Sequence, residues 1–287
     1  MKKKLLDISG KIDPLNLQIL KKVQDITEKL HINFFLVGAT VRDMILNYVY
    51  GIKIYRRTND IDFAVCVKGW NEYYLFTGEI EKTGFTKDRN SDHRYFFNGF
   101  IIDFIPFGDI ADDRKIIMWQ DKDKKEMSVF GFEDVYVNVE EILIQTNPDT
   151  VVKAASVEGL VILKIIAWNE RPAELRIKDA KDIYLILTTY LNAGNEERLY
   201  DEHADIVEET TDYELSGARL LGRDISTLTS QFVKNRLLEL LTEEKLDILA
   251  NEMSQYEGLS MERDEKIEKC WELLKNMKKG IEENIYN

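Results

Sequence analysis

Apolar and polar positions alternate with one rhythm in the first half of the chain and another in the second. Asp13-Pro14 reads as a helix start, with the carboxylate as cap and the proline in the first turn. Ile19, Val23, Ile26 and Leu30 follow at helical spacing and give that helix one apolar face. Asn33 to Val37 is a short apolar run ending at Gly38, which predicts a buried strand; Thr40 to Tyr50 reads as helix, stopped by Gly51. Ile61 to Val67 is rich in strand formers, and Trp70 to Lys82 predicts a further helix closed by Gly84. Arg94 to Phe97 and Phe100 to Phe107 flank Asn98-Gly99, the strongest short-range signal for a hairpin. Ser128 to Val139 predicts one or two more strands.

Past Asn147-Pro148 the period lengthens. Residues 157–168, 178–191, 230–250 and 261–279 all carry helical spacing. The fold class expected is therefore α+β: a mixed α/β core over residues 1–150, followed by a mostly α-helical domain over 151–287. No internal repeat and no low-complexity segment interrupts it.

Composition narrows the function classes. Of 287 residues 44% are hydrophobic and 32% charged, an ordinary globular balance. The 39 basic and 52 acidic residues leave a net charge of −13, which argues against binding DNA or an anionic membrane through the whole surface. Cys66 and Cys270 are the two cysteines, too few and too far apart for a disulfide framework or a cysteine zinc site. The basic start, Met1 to Lys4, is followed only by Leu5-Leu6 before Asp7, so no signal peptide is expected. The longest apolar run, Gly159 to Trp168, is broken by Lys164 and is half a membrane span. A soluble, cytoplasmic protein is expected. Glu196 to Glu214 concentrates nine carboxylates against Arg198, either a solvated acidic face or loop or a docking surface for a basic partner.

Four places carry chemistry. In Asp60-Ile61-Asp62-Phe63, strand geometry turns Ile61 and Phe63 one way and both carboxylates the other. Two like charges side by side call for a cation between them, and a hard divalent ion suits carboxylate oxygens; the alternative is a solvated strand end. Asp103, set among Ile101, Ile102, Phe104 and Ile105, is a carboxylate that must be paired or metal-bound to be tolerated. If its strand lies beside Ile61 to Val67, three carboxylates meet, as a two-magnesium site requires. Gly38-Ala39-Thr40-Val41-Arg42 is a small-residue turn between strand and helix; it either lets backbone approach a phosphate or is simply a turn. Lys164, alone in an apolar helix, must snorkel out or meet an anion. Arg171 lies two turns further on, where the two could hold a triphosphate, and Asp182 could orient Lys164. His93 and Arg94 either reach an acceptor or serve structure.

In this order and spacing the motifs resemble the polymerase β-like nucleotidyltransferase superfamily, and within it the AbiEii/AbiGii toxin family, over roughly residues 30–192. The resemblance implies a mixed sheet flanked by helices, NTP as co-substrate and two magnesium ions. It implies that Asp60, Asp62 and Asp103 bind metal, with Asp103 as base. Gly38, Ala39, Thr40, Arg42, Lys164, Arg171 and Asp179 would bind nucleotide, and Lys164 and Asp182 would serve catalysis from the helical domain; Asp179 and Asp182 share the last acidic motif. Gly38-Ala39 departs from the family's Gly-Gly or Gly-Ser, removing a hydroxyl that Thr40 could replace. Arg42-Asp43 is also similar to CCA-adding enzymes and poly(A) polymerases, but no basic RNA-binding tail accompanies it. The implied reaction moves an NMP from an NTP to an acceptor hydroxyl with release of pyrophosphate. The acceptor would be a tRNA or a protein, with a cognate antitoxin as partner and no membrane or DNA. The alternatives are a non-catalytic binding or regulatory protein on the same fold and a small-molecule nucleotidyltransferase of the antibiotic-modifying type.

Overall fold

A computed structural model describes residues 5–56, 58–120, 125–257 and 261–283; the basic start, Met1 to Lys4, lies outside them. The chain divides into two compact units, residues 1–49 with 56–156, and residues 50–55 with 157–287.

Among the described residues the first unit contains every strand. In chain order it runs β1 (Leu6–Asp7), α1 (Pro14–Leu30), β2 (Asn33–Val37), α2 (Gly38–Arg42), β3 (Asp60–Cys66), α3 (Trp70–Lys82), β4 (Thr86–Lys87), β5 (Arg94–Phe97), β6 (Phe100–Phe107), β7 (Ile116–Met118), β8 (Glu126–Ser128), α4 (Phe132–Val137), β9 (Glu140–Gln145) and β10 (Thr150–Ala154). Asp13 caps α1 as expected, its side chain accepting from the Leu15 N–H at 2.8 Å. The main sheet has eight strands in the order β1-β9-β10-β2-β3-β6-β5-β4 and is mixed. Its centre decides the site: β2 runs antiparallel to β3, β3 parallel to β6, and β6 antiparallel to β5 across the Asn98-Gly99 turn. Ile61, Phe63, Ile102 and Phe104 are wholly buried on one face of these strands. The Phe76 ring of α3 meets Phe104 edge-on at 5.1 Å between centroids, closing that side of the core.

Three sequence expectations change here. Helix begins at Gly38 rather than Thr40, and continues past α2 as a wider, π-helical segment from Asp43 to Val49. Ser128 to Val139 is not mainly strand: Ser128 ends β8, and Phe132–Val137 forms α4. The reason is spacing and capping. Gly131 precedes α4 in the left-handed region (φ +81°), Glu133 and Asp134 fill its first turn, and Phe132 and Tyr136 face Phe35 one turn apart. Strand also continues to Ala154 through β9 and β10, which pair with each other as a hairpin and, on their outer edges, with the sequence-distant β1 and β2.

The second unit is helical: α5 (Val157–Glu170), α6 (Ala173–Thr189), a kink over Leu191–Asn195 where Ala193 and Gly194 leave helical geometry, α7 (Glu196–Asp201), α8 (Ala204–Glu209), α9 (Tyr213–Leu228), α10 (Gln231–Leu240), α11 (Glu243–Met253) and α12 (Arg263–Glu282). The span 230–250 is two helices, broken at Leu241-Thr242. α9 and α12 pack backbone against backbone at Gly222 and Gly280, where a methyl group on Gly222 would fall inside contact with the Met277 carbonyl oxygen and 2.9 Å from Gly280 Cα. The acidic stretch 196–214 finds its basic partners within this unit. Asp205 of α8 pairs with Arg223, and Glu209 with Arg219 at 2.8 Å, both arginines lying buried on α9. No helix among the described residues is long and apolar enough to cross a membrane.

Candidate active site

Sheet register assembles the acidic group. Asp62 on β3 stands beside Asp103 on β6, and Arg94 on β5 stands opposite Asp103 across the hairpin. Neighbours in register point to the same face, so Asp62, Asp103 and Arg94 form a row across three strands. Asp60, two residues before Asp62, shares that face. Asp60 and Asp62 are half-buried, whereas Asp103 is 6% exposed.

A carboxylate this deep needs a partner, and it has one. Arg94 grips Asp103 with both ends of its fork, Nε to Oδ1 at 2.8 Å and Nη2 to Oδ2 at 2.7 Å. The bonds to Asp103 raise the Arg94 pKa above its ordinary value against an opposing desolvation, and the fields of Asp60 and Asp62 add to the rise. His93, beside it, is pushed below the ordinary imidazole range by burial, against the pull of Asp103, and its ring lies 5.6 Å from that of Trp119.

The turn after β2 is fitted to the same row. Gly38 has φ +78°, and a Cβ there would fall inside contact with Asp62 Oδ2 and 3.0 Å from Asp62 Cγ. Only glycine leaves that carboxylate its place. Thr40 donates its hydroxyl to the Asp60 carbonyl at 2.5 Å, tying the turn to the start of β3, and Thr58 donates to the Asp60 side chain. Arg42 is buried in the first unit, bonded through Nε to Asp43 Oδ1 at 2.8 Å and through Nη2 to the Arg56 carbonyl at 2.9 Å. Ala39 is the second residue of α2, half-buried.

The donor chemistry of Asp60, Asp62 and Asp103 suits a hard divalent cation, since all are carboxylates on one face and two are cross-strand neighbours. They do not close on a common point as they stand: among the described residues no group of three acidic, histidine or cysteine side chains converges to hold a metal ion. Arg94, a cation, already holds both oxygens of Asp103.

A second charged cluster lies inside the helical unit. Lys164 of α5 is buried among Leu160, Val161, Ile165 and Trp168 and does not snorkel to solvent. Its Nζ lies 2.5 Å from Asp182 Oδ2 and 3.4 Å from Asp179 Oδ1, two carboxylates one turn apart on α6. Arg171 completes the group by pairing with Asp179. Two cations and two carboxylates thus neutralise one another. The structure brings together every member of the lysine and last acidic motifs singled out in the sequence.

The sequence left Arg94 between reaching an acceptor and serving structure, without naming Asp103 as its partner. The signal was present: with a two-residue turn at 98–99, Phe97 pairs with Phe100 and the register sets Arg94 against Asp103.

Comparison with known proteins supplies the family. The model for the nucleotidyl transferase AbiEii toxin of type IV toxin–antitoxin systems matches residues 23–272. No curated protein matches at a significant level. Among solved structures, the antibiotic-resistance factor ANT(2'')-Ia in solution is 12% identical with TM-score 0.37, over 69% of this chain and 97% of that one. The crystal structure of ANT(2'')-Ia with adenylyl-2''-tobramycin is 15% identical with TM-score 0.39, over 67% and 98%. An antigenic nucleotidyltransferase-like protein from Paracoccidioides brasiliensis is 13% identical with TM-score 0.38, over 72% and 94%. These likenesses are distant, and the family match carries the assignment: the chain belongs to the AbiEii nucleotidyl transferase toxin family, on a mixed α+β nucleotidyltransferase fold.

Proposed function

We propose that the protein transfers a nucleoside monophosphate from an NTP to an acceptor hydroxyl, releasing pyrophosphate. The observation that supports it most is the register pairing of Asp62 with Asp103, with Asp60 on the same face and Gly38 cleared of any side chain against Asp62. Asp60, Asp62 and Asp103 would hold two magnesium ions, which supply electrostatic activation of the attacking hydroxyl and neutralisation of the triphosphate. Asp103 is the base that takes the acceptor proton. Gly38 and Thr40 shape the turn that meets the phosphates, and Ala39 keeps it narrow. Lys164 is the cation assigned to the leaving phosphates, oriented by Asp179 and Asp182; Arg171 assists it. Arg42, bonded within the core, acts on the nucleotide only through the position of α2. Catalysis on this reading is mostly positioning and charge.

The acceptor class proposed is a tRNA or a protein. The family's place in type IV toxin–antitoxin systems supports a cognate antitoxin as partner. The net charge of −13 disfavours DNA, and with no membrane-crossing helix among the described residues a cytoplasmic site of action is proposed. A non-catalytic reading is favoured by one observation, the engagement of Asp103 by Arg94. Incubation with each α-labelled NTP, magnesium, total RNA and protein extract separates the readings, with Asp60→Ala/Asp62→Ala alongside. Label in RNA or polypeptide with the wild type alone supports transfer and names the acceptor class. Silence with all four nucleotides, together with a tight stoichiometric partner, supports the binding protein instead.

A further inference from the structure

The acidic row already contains a cation, and it belongs to the chain. Arg94 occupies both oxygens of Asp103 at 2.8 and 2.7 Å, and Asp62 is the next residue of the row. Asp103 is nearly sealed from solvent, while the Arg94 side chain is 36% exposed and so has water to swing into. Without a positive charge, Asp62 and Asp103 would stand side by side as like charges in a low-dielectric face, which is unfavourable. Arg94 relieves this, and the fields of all three carboxylates act on its guanidinium. A divalent ion on Asp62 and Asp103 would share a carboxylate with that guanidinium, two cations within a few ångströms of one another. The same contact that stabilises the metal-free protein therefore opposes metal binding.

We propose that Arg94 is a built-in counter-cation of the acidic row, which must release Asp103 before that carboxylate can serve a divalent ion. The inference rests on the metal role given to Asp62 and Asp103 above. It makes Arg94 a positioning residue that sets the metal affinity of the free protein. It also accounts for three carboxylates that share one face without closing on a common point.

The test is Mn²⁺ binding to the full chain, followed by the signal of free Mn²⁺ in electron paramagnetic resonance, for wild type, Arg94→Gln, Arg94→Lys and Asp62→Asn. Arg94→Gln is expected to bind Mn²⁺ about tenfold more tightly, the order expected on removing one like charge near a divalent ion at a protein surface. Arg94→Lys, which keeps the charge, is expected to stay within about threefold of wild type by the same reasoning. The melting temperature gives a second reading: Arg94→Gln melts lower than wild type without metal and rises further when Mn²⁺ is added. Should Arg94→Gln fail to fold, the wild type carries the test alone, because the Arg94 Nε–H resonance held by Asp103 is expected to shift on Mg²⁺ titration. Equal or weaker Mn²⁺ binding by Arg94→Gln, with wild-type binding abolished in Asp62→Asn, overturns the role of Arg94 and leaves the metal site standing. An Arg94 resonance indifferent to Mg²⁺ does the same. Binding by neither wild type nor Arg94→Gln overturns the metal site and this inference with it.

Discussion

Replacing Gly38 by alanine separates the strain of a backbone from the displacement of a carboxylate. Gly10 and Gly38 lie in the same unit with nearly the same φ, +76° and +78°, but a methyl group on Gly10 meets nothing within 4 Å. Gly10→Ala therefore reports left-handed strain alone, roughly 1–2 kcal/mol, offset by about 0.4–1 kcal/mol from the stiffer unfolded chain. A net loss of about 1 kcal/mol follows from those two figures. Gly38→Ala carries the same strain and also drives a methyl into Asp62 Oδ2, with Cγ at 3.0 Å and Cβ at 3.3 Å. The cheapest relief turns the Asp62 side chain off its rotamer, adding about 0.5–1.5 kcal/mol. Urea denaturation is thus expected to place Gly38→Ala only modestly below Gly10→Ala. Function divides them far more sharply. A carboxylate moved by about 1 Å can cost on the order of 100-fold in rate, so Gly38→Ala is expected to lose nearly all nucleotidyl transfer and Mn²⁺ binding while Gly10→Ala keeps both. Equal Mn²⁺ binding by the two variants would refute the claim that Gly38 exists to make room for Asp62.

The helical unit supplies three further expectations, the first read against a control in α3 of the other unit. Gly222→Ala pushes α9 and α12 apart at a contact made of backbone, so it should destabilise by about 1–3 kcal/mol, whereas Gly78→Ala, with open space around it in α3, should stabilise by up to about 1 kcal/mol; paired urea melts check both signs. Glu209 is held down to about 2 by its bonds to Arg219 and Lys279, against an ordinary 4.5. Its folded pKa lies below its unfolded one, so the stabilisation is present above pH 4.5 and lost as pH falls toward 2, and Glu209→Gln should flatten that acid limb of the melting curve. Cys270 is buried and its thiol is pushed up to about 12, chiefly by desolvation, so native protein should resist thiol labelling there until it unfolds.

The parts of the site legible in the sequence were the local ones. Strand period alone put Asp60 and Asp62 on one face, and Asn98-Gly99 announced the hairpin that carries Asp103. That β3 and β6 lie parallel and side by side could be framed only as a condition, because the pairing joins residues some forty positions apart and no local pattern encodes it. Lys164 announced its need for an anion by its apolar surroundings, but only packing of α5 on α6 shows both Asp179 and Asp182 answering it. Ser128 to Val139 reads as strand because Phe130, Phe132, Tyr136 and Val137 are strand formers by type, while their spacing and Gly131 favour the short helix α4. In the acidic stretch, charge was visible and its basic partners, Arg219 and Arg223, were not. They sit on α9, a helix outside the four helical spans that the spacing predicts for this half of the chain.

Nucleotidyl transfer is tested most directly by following both ends of one triphosphate. Protein, magnesium and an acceptor-containing extract are incubated with the same NTP labelled at the α or at the γ phosphate, for wild type and Asp62→Asn. The α-label is expected to become covalently attached to acceptor and the γ-label to leave as pyrophosphate, with wild type and not with the variant. Transfer of γ-label to acceptor, or α-label transfer undiminished in Asp62→Asn, would contradict that expectation.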